Sequence, residues 1–251
     1  MNVVYGPVRS LRYGSTLGIN LSGREKACSY NCVYCSLGPT VLTMNKMRKD
    51  YVFPTLDELR ASFKEYIKQS VPTDAIVLSG NGEPTLYPEF EDAVKCVIEL
   101  REAHLPGTKI VVLSNGAHLD SKKVVSGMKL ADERVIKIDA GNDKILQKVN
   151  DPLIRLNMAK FLNGLEKLGD VTTQSLFFTG EVDNTQGDLI EEWIEVMGLV
   201  KPKAVQLCTI TRPTPVMPGL RPADEDALYS IAFKLKKRTG LEATVFGGNK
   251  S

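Results

Sequence analysis

Short apolar runs alternate six times with longer stretches of helical period along this chain of 251 residues. The runs fall at about 16–21 (TLGINL), 75–79 (AIVLS), 109–114 (KIVVLS), 134–139 (RVIKID), 172–179 (TTQSLFFT) and 204–210 (AVQLCTI). They are continuous rather than alternating, as expected of parallel strands covered by helices. Helical periodicity fills the intervals near 55–70, 88–103, 120–130, 153–168, 187–199 and 222–238. Thr55 after Pro54, with Asp57 and Glu58, and Ser121 after Asp120 read as helix starts.

This rhythm predicts an α/β fold. An open doubly wound sheet and a β/α barrel share it, but six units with polar residues at strand C-terminal ends suit a barrel of fewer than eight units. No Pro/Gly/Ser-rich linker divides the chain. A single domain over 1–251 is expected, with the core barrel at about 14–238.

The longest connection, about 33 residues after the first strand, holds Cys28, Cys32 and Cys35 in the spacing C-x3-C-x2-C. Long ordered loops tend to be functional. Three thiolates this close can hold one four-iron cluster and leave its fourth iron open to a substrate or cofactor. A structural zinc site wants four ligands, usually in two pairs; Cys96, Cys208, His104 and His118 form no second pair. A disulfide framework suits a small secreted chain, whereas the start MNVVYGPVRSLRYG lacks the apolar segment of a signal peptide. With five cysteines, an odd number, and no apolar run near the ~18 residues that span a bilayer, the expectation is a cytoplasmic protein with no membrane partner. Cys96 and Cys208 lie in apolar segments and read as core thiols.

The second run ends in Ser79-Gly80-Asn81-Gly82-Glu83-Pro84-Thr85. Two glycines admit a close approach to the backbone, and the Glu83 carboxylate can accept from an ammonium. A dinucleotide loop would need a third glycine where Thr85 stands. The third run ends in Ser114-Asn115-Gly116. In the fourth, Lys137 and Asp139 share a face by strand alternation, as a functional pair or a structural salt bridge. Gln174, Asn184 and Arg212 lie in or near the mouths of later strands.

These motifs together resemble the radical S-adenosylmethionine (SAM) superfamily. Cys28, Cys32, Tyr34 and Cys35 match its C-x3-C-x-aromatic-C signature, and Gly82-Glu83-Pro84 matches its G-G-E-P signature with Asn81 replacing the first glycine. Within it, GPVRSLRYGSTLGINL, SGNGEPTLYPEF, KIDAG, VDNT followed by Trp193, and VQLCTITRPTP resemble the wyosine-synthase-related iron–sulfur oxidoreductases, from about residue 6 to 215. The resemblance implies a partial (β/α)6 barrel and a [4Fe–4S] cluster on Cys28, Cys32 and Cys35 that binds SAM at its open iron. One electron, from a donor such as flavodoxin or ferredoxin, would cleave SAM to a 5′-deoxyadenosyl radical. Tyr34 is then expected near the adenine, Glu83 near the methionine ammonium and Asp139 near the ribose. Gly80, Asn81, Gly82, Pro84, Ser114 and Asn115 would shape the cofactor site, and Arg12, Lys137, Asn184 and Arg212 are candidates for substrate contact. Wyosine synthases carry extra cysteines for a second cluster; this chain has none before Cys28.

Net charge is +2. Residues 1–50 nevertheless carry Arg9, Arg12, Arg24, Lys26, Lys46, Arg48 and Lys49 against Glu25 and Asp50, an excess of five, so the remainder is negative by three. A large anionic substrate, RNA, is the favoured expectation. The alternatives are a polypeptide substrate, as for an activating enzyme or maturase, and a degenerate barrel serving as an interaction module, which would need a broken motif.

Overall fold

The computed structural model describes residues 2–43 and 47–247, which form two compact units. The first comprises residues up to 29 together with 40–135; the second comprises 30–39 and everything from 136 onward.

The first unit opens with the hairpin β1 (Val4–Ser10) and β2 (Gly14–Asn20), antiparallel with Val4 opposite Ile19 and Ser10 opposite Gly14. β1, which contains Pro7, is absent from the sequence expectation. The structure accommodates Pro7 at an irregularity, where the register shifts between Tyr5 and Val8. β2 then pairs in parallel with β3 (Ala75–Ser79), and β3 with β4 (Lys109–Ser114). Leu17, Ile19, Ile76, Leu78 and Val111 are all buried. The crossovers are α1 (Leu56–Ile67), α2 (Phe90–His104) and, after β4, α3 (Lys122–Leu130). Thr55 and Glu58 form a reciprocal capping box at α1: Glu58 N–H donates to Thr55 Oγ1 at 3.1 Å, and Thr55 N–H to Glu58 Oε2 at 2.7 Å. Ser121 caps α3 through the Val124 N–H.

β5 (Glu133–Lys137) runs across the division between the units. In the second unit follow α4 (Asp143–Asn150), α5 (Met158–Leu168), β6 (Thr172–Gly180), α6 (Gly187–Val200) and β7 (Ala204–Thr209). β8 (Leu220–Pro222), α7 (Glu225–Thr239) and β9 (Ala243–Phe246) complete it. β6 pairs in parallel with β7 and β7 with β9, while β8 lies antiparallel to β6. Trp193 and Phe177 meet edge to face in its core, centroids 5.3 Å apart.

The helix expected over 153–168 begins only at Met158, because the Asn157 side chain accepts the Lys160 N–H at 2.9 Å and caps it there. Before it lies α4, unforeseen from the sequence. It is a two-turn helix capped by Asn142 and ended at Asp151, whose φ of 43° is left-handed. No helix among the described residues is long and apolar enough to cross a membrane.

Candidate active site

In the first unit, the loop after β2 is pinned to the loop after β3. Asn20, fully buried at the end of β2, accepts the Ser22 and Asn81 N–H groups on Oδ1, both at 3.1 Å, and donates to Gly23 O at 2.7 Å. Asn81 answers with Nδ2 to Gly23 O at 3.2 Å and Arg24 O at 3.1 Å. Ala27 N–H donates to Asn81 O at 3.0 Å, and Glu83 N–H to Ala27 O at 2.9 Å. Gly82 makes this bridge possible. Its φ is 139°, and a Cβ there would sit 1.8 Å from Ala27 O. At Gly80 a Cβ would meet Asn20. What comes close to both glycines in this structure is the chain itself: Asn20 at Gly80, and Ala27, one residue before Cys28, at Gly82.

Pro84 opens a short 3-10 turn, Pro84–Leu86, that leaves Glu83 buried. Its Oε1 accepts Ser114 Oγ at 2.7 Å, Thr85 Oγ1 at 2.6 Å and the Thr85 N–H at 3.2 Å, and its Oε2 accepts the Asn115 N–H at 2.8 Å. No Lys, Arg or His makes an ion pair with it among the described residues. A buried carboxylate held by neutral donors retains acceptor capacity on Oε2 for a cation. Thus Glu83, Ser114 and Asn115 meet around one carboxylate. Asn115 Nδ2 also lies 3.6 Å from Cys28 Sγ. Ser29, beside Cys28, hydrogen-bonds the buried His118 Nε2. Burial holds that imidazole below its ordinary pKa, against the opposing charges of Glu83 and Asp120. Nothing in the sequence paired Ser29 with His118.

In the second unit, the stretch carrying Cys32, Tyr34 and Cys35 is strapped to the C-terminus of α4. Asn31 N–H donates to Asn150 O at 3.1 Å and Asp151 O at 3.0 Å, and Val33 N–H to Val149 O at 3.0 Å. These are carbonyls a helix end leaves without partners. The Cys35 N–H turns back onto Cys32 O at 3.0 Å.

Asp139, buried at 3% exposure, is the hub of this unit's site. Oδ1 accepts the Leu176 N–H at 2.7 Å and lies 3.0 Å from Lys137 Nζ, while Oδ2 accepts Asn150 Nδ2 at 2.7 Å and the Tyr34 hydroxyl. Lys137 Nζ also stands 5.3 Å from the centroid of the Tyr34 ring, which packs on Phe178. Burial and Asp139 carry the Tyr34 hydroxyl well above its ordinary pKa, so it remains a donor. Burial, then Asp139, push the Cys32 thiol up to about 11, with the Asn150 and Tyr34 hydrogen bonds opposing.

The remaining expected residues are more dispersed. Asn184 is engaged by backbone: its Oδ1 accepts the Phe178 N–H at 2.9 Å, and its Nδ2 donates to Leu176 O at 2.9 Å and Asp139 O at 3.4 Å. Gln174 donates to Gln206 Oε1 at 3.1 Å. Arg12 sits in the β1–β2 turn beside the Tyr13 ring, and Arg212 is exposed in the segment after β7. Arg9, Arg24 and Lys49 are exposed, whereas Arg48 is bound to Glu25 at 2.6 Å and Asp50 at 3.2 Å. Lys46 lies outside the described residues.

None of the five cysteines is in a disulfide; Cys96 and Cys208 are buried, and Cys28, Cys32 and Cys35 are half-buried. No three His, Cys, Asp or Glu side chains among the described residues are close enough to hold one metal ion. An iron–sulfur cluster needs no such gathering, since each of its thiolates binds a different iron. Half-buried thiols with amide donors at Cys28 and Cys32 suit that group.

Comparison with known proteins agrees. The family described as the Radical SAM superfamily matches residues 26–192. The chain is 34% identical over 223 residues to the UPF0026 protein slr1464 of Synechocystis, covering 85% of this chain and 77% of that protein. Among solved structures it resembles TYW1 with a lysine-pyruvate adduct bound (TM-score 0.66, 17% identity, 89% of this chain and 74% of that one). It also resembles a radical SAM methyltransferase from Sphaerobacter thermophilus (TM-score 0.65, 15% identity, 96% of this chain and 67% of that one). These likenesses give the fold, a partial β/α barrel. The chain belongs to the radical SAM superfamily and is an enzyme whose cofactors are a [4Fe–4S] cluster and SAM.

Proposed function

We propose that this enzyme cleaves SAM reductively at a cluster ligated by Cys28, Cys32 and Cys35, and that it acts on a large RNA substrate, a tRNA in the leading case. When bound, the cluster and SAM together supply a 5′-deoxyadenosyl radical that abstracts hydrogen. The chain's own residues bind and orient. Glu83, saturated by neutral donors on one oxygen, offers the other to the methionine ammonium. Tyr34, fixed by Asp139 and Phe178, presents an aromatic face for the adenine. The electron donor is of the flavodoxin or ferredoxin class, and the setting is the reducing cytoplasm.

The observation that carries the RNA reading is the exposed basic set Arg9, Arg24 and Lys49 in the first fifty residues. The resemblance to the wyosine-related group supports it. Arg48, already neutralised by two carboxylates, contributes little. A test follows directly: RNA binding should weaken steeply from low to moderate salt, and neutralising Arg9, Arg24 and Lys49 together should flatten that log–log slope. SAM cleavage without substrate should not change. No RNA binding at low salt, with a peptide pool competing instead, would move the assignment to a polypeptide substrate.

A further inference from the structure

We propose that Asn115 and Asn150 are positioning residues for the cluster, each donating a side-chain N–H to the sulfur of a ligating cysteine and so raising the cluster's reduction potential. The inference rests on the cysteine ligation proposed above. In the first unit Asn115 Nδ2 lies 3.6 Å from Cys28 Sγ; in the second, Asn150 Nδ2 lies 3.6 Å from Cys32 Sγ. These are hydrogen-bonding distances for a sulfur acceptor, which is larger and softer than oxygen.

Both amides are locked. Asn115 Oδ1 accepts the Ala117 N–H at 2.9 Å, and its own N–H is held by Glu83 Oε2 at 2.8 Å. Side chain and backbone are therefore both fixed, and the Nδ2 group can only face the sulfur side. Asn150 is 2% exposed and ends α4, where its carbonyl receives the Asn31 N–H from the cysteine segment itself. Its two Nδ2 hydrogens serve three acceptors: Asp139 Oδ2 at 2.7 Å, Tyr34 Oη at 3.3 Å and Cys32 Sγ at 3.6 Å. The swapped amide orientation would set its oxygen against the Asp139 carboxylate, so the assignment of nitrogen to this side is chemically required.

An electron entering the cluster adds negative charge that spreads onto the ligating sulfurs. An N–H aimed at sulfur stabilises the reduced form more than the oxidised one, which raises the potential. Asn115, whose Nδ2 group has one acceptor among the described residues, is the dedicated donor; Asn150 is shared.

The experiment uses the full chain, reconstituted anaerobically, with iron content measured first and the midpoint potential then followed by electron paramagnetic resonance during reductive titration. Asn115→Leu and Asn150→Leu should each hold about four irons and titrate at more negative potential, the double variant most negative of all. Asn115→Ser keeps an oxygen for the Ala117 N–H, removes the amide donor without adding charge, and should also shift negative. It decides the matter if Asn115→Leu fails to load. A fully loaded Asn115 variant whose potential is unmoved or raised overturns the inference and leaves the ligation intact. Failure of the unsubstituted protein to bind iron overturns the ligation itself. A purely structural asparagine would lower stability without moving the potential.

Discussion

Lys137 Nζ stands 3.0 Å from Asp139 Oδ1, although β5 ends at Lys137 and Asp139 lies beyond it in the loop. The carboxylate is fully buried and the amine nearly so. Removing one charge of such a pair leaves the other uncompensated, so Asp139→Asn should destabilise the protein by about 3–5 kcal/mol. Adding Lys137→Met should restore a good part of that loss. Urea denaturation midpoints of the single and double variants measure both effects.

Gly82→Ala should unseat the bridge that holds Ala27. Its Cβ would meet a backbone oxygen, which cannot swing aside as a flexible side chain would. A loss above about 2 kcal/mol is expected from overpacking and a left-handed φ. Poorer iron uptake at the neighbouring Cys28 should accompany it, read by thermal melting and iron content.

Glu83→Gln keeps the size of the side chain and one oxygen for Ser114 and Thr85, while removing the charge and the second acceptor that takes the Asn115 N–H. The cluster should assemble normally and SAM binding should weaken by roughly 1.5–3 kcal/mol, the worth of a hydrogen bond to a charged group. Calorimetric titration of loaded protein checks this; unchanged affinity would place the ammonium elsewhere.

Alanine at Cys28, Cys32 or Cys35 should abolish cluster assembly, while Cys96→Ala and Cys208→Ala should keep full iron content. The last two line the core and should lose about 1–2 kcal/mol from the cavity left behind. Full assembly in Cys32→Ala, by iron content and Mössbauer spectra, would remove the ligand assignment.

Thr55→Ala should cost about 1 kcal/mol by opening the capping box of α1. Thermal denaturation should show it, with iron content unchanged, because the capping box is a local contact within the first turn of α1.

Much of this was legible in the chain because strand spacing, helix caps and the cysteine and GNGEP motifs are local. Thr55 and Ser121 cap helices where their neighbours in sequence indicated. The expected strands from Ala75 and Lys109 appear with matching bounds. The misses were also local in origin. β1, β8 and β9 are short or irregular strands that the apolar runs do not mark, and α4 has only Ile145, Leu146 and Val149 as an apolar face, too short to announce itself.

What sequence alone determined was chemistry carried by residue type and spacing: three thiols in eight residues, a Gly-Glu-Pro turn at a strand end, and the superfamily they imply. Tertiary structure decided which long-range partners these groups have. Asn20 and Asn150, unremarkable in the sequence, hold the two stretches of the cysteine segment, one from β2 and one from α4. Glu83 meets Asn115 across thirty-two positions, and Asp139 meets Tyr34 across 105. The reason is physical: a buried carboxylate must be satisfied by donors. Local spacing can place the carboxylate, but only the packing of distant loops determines which donors reach it.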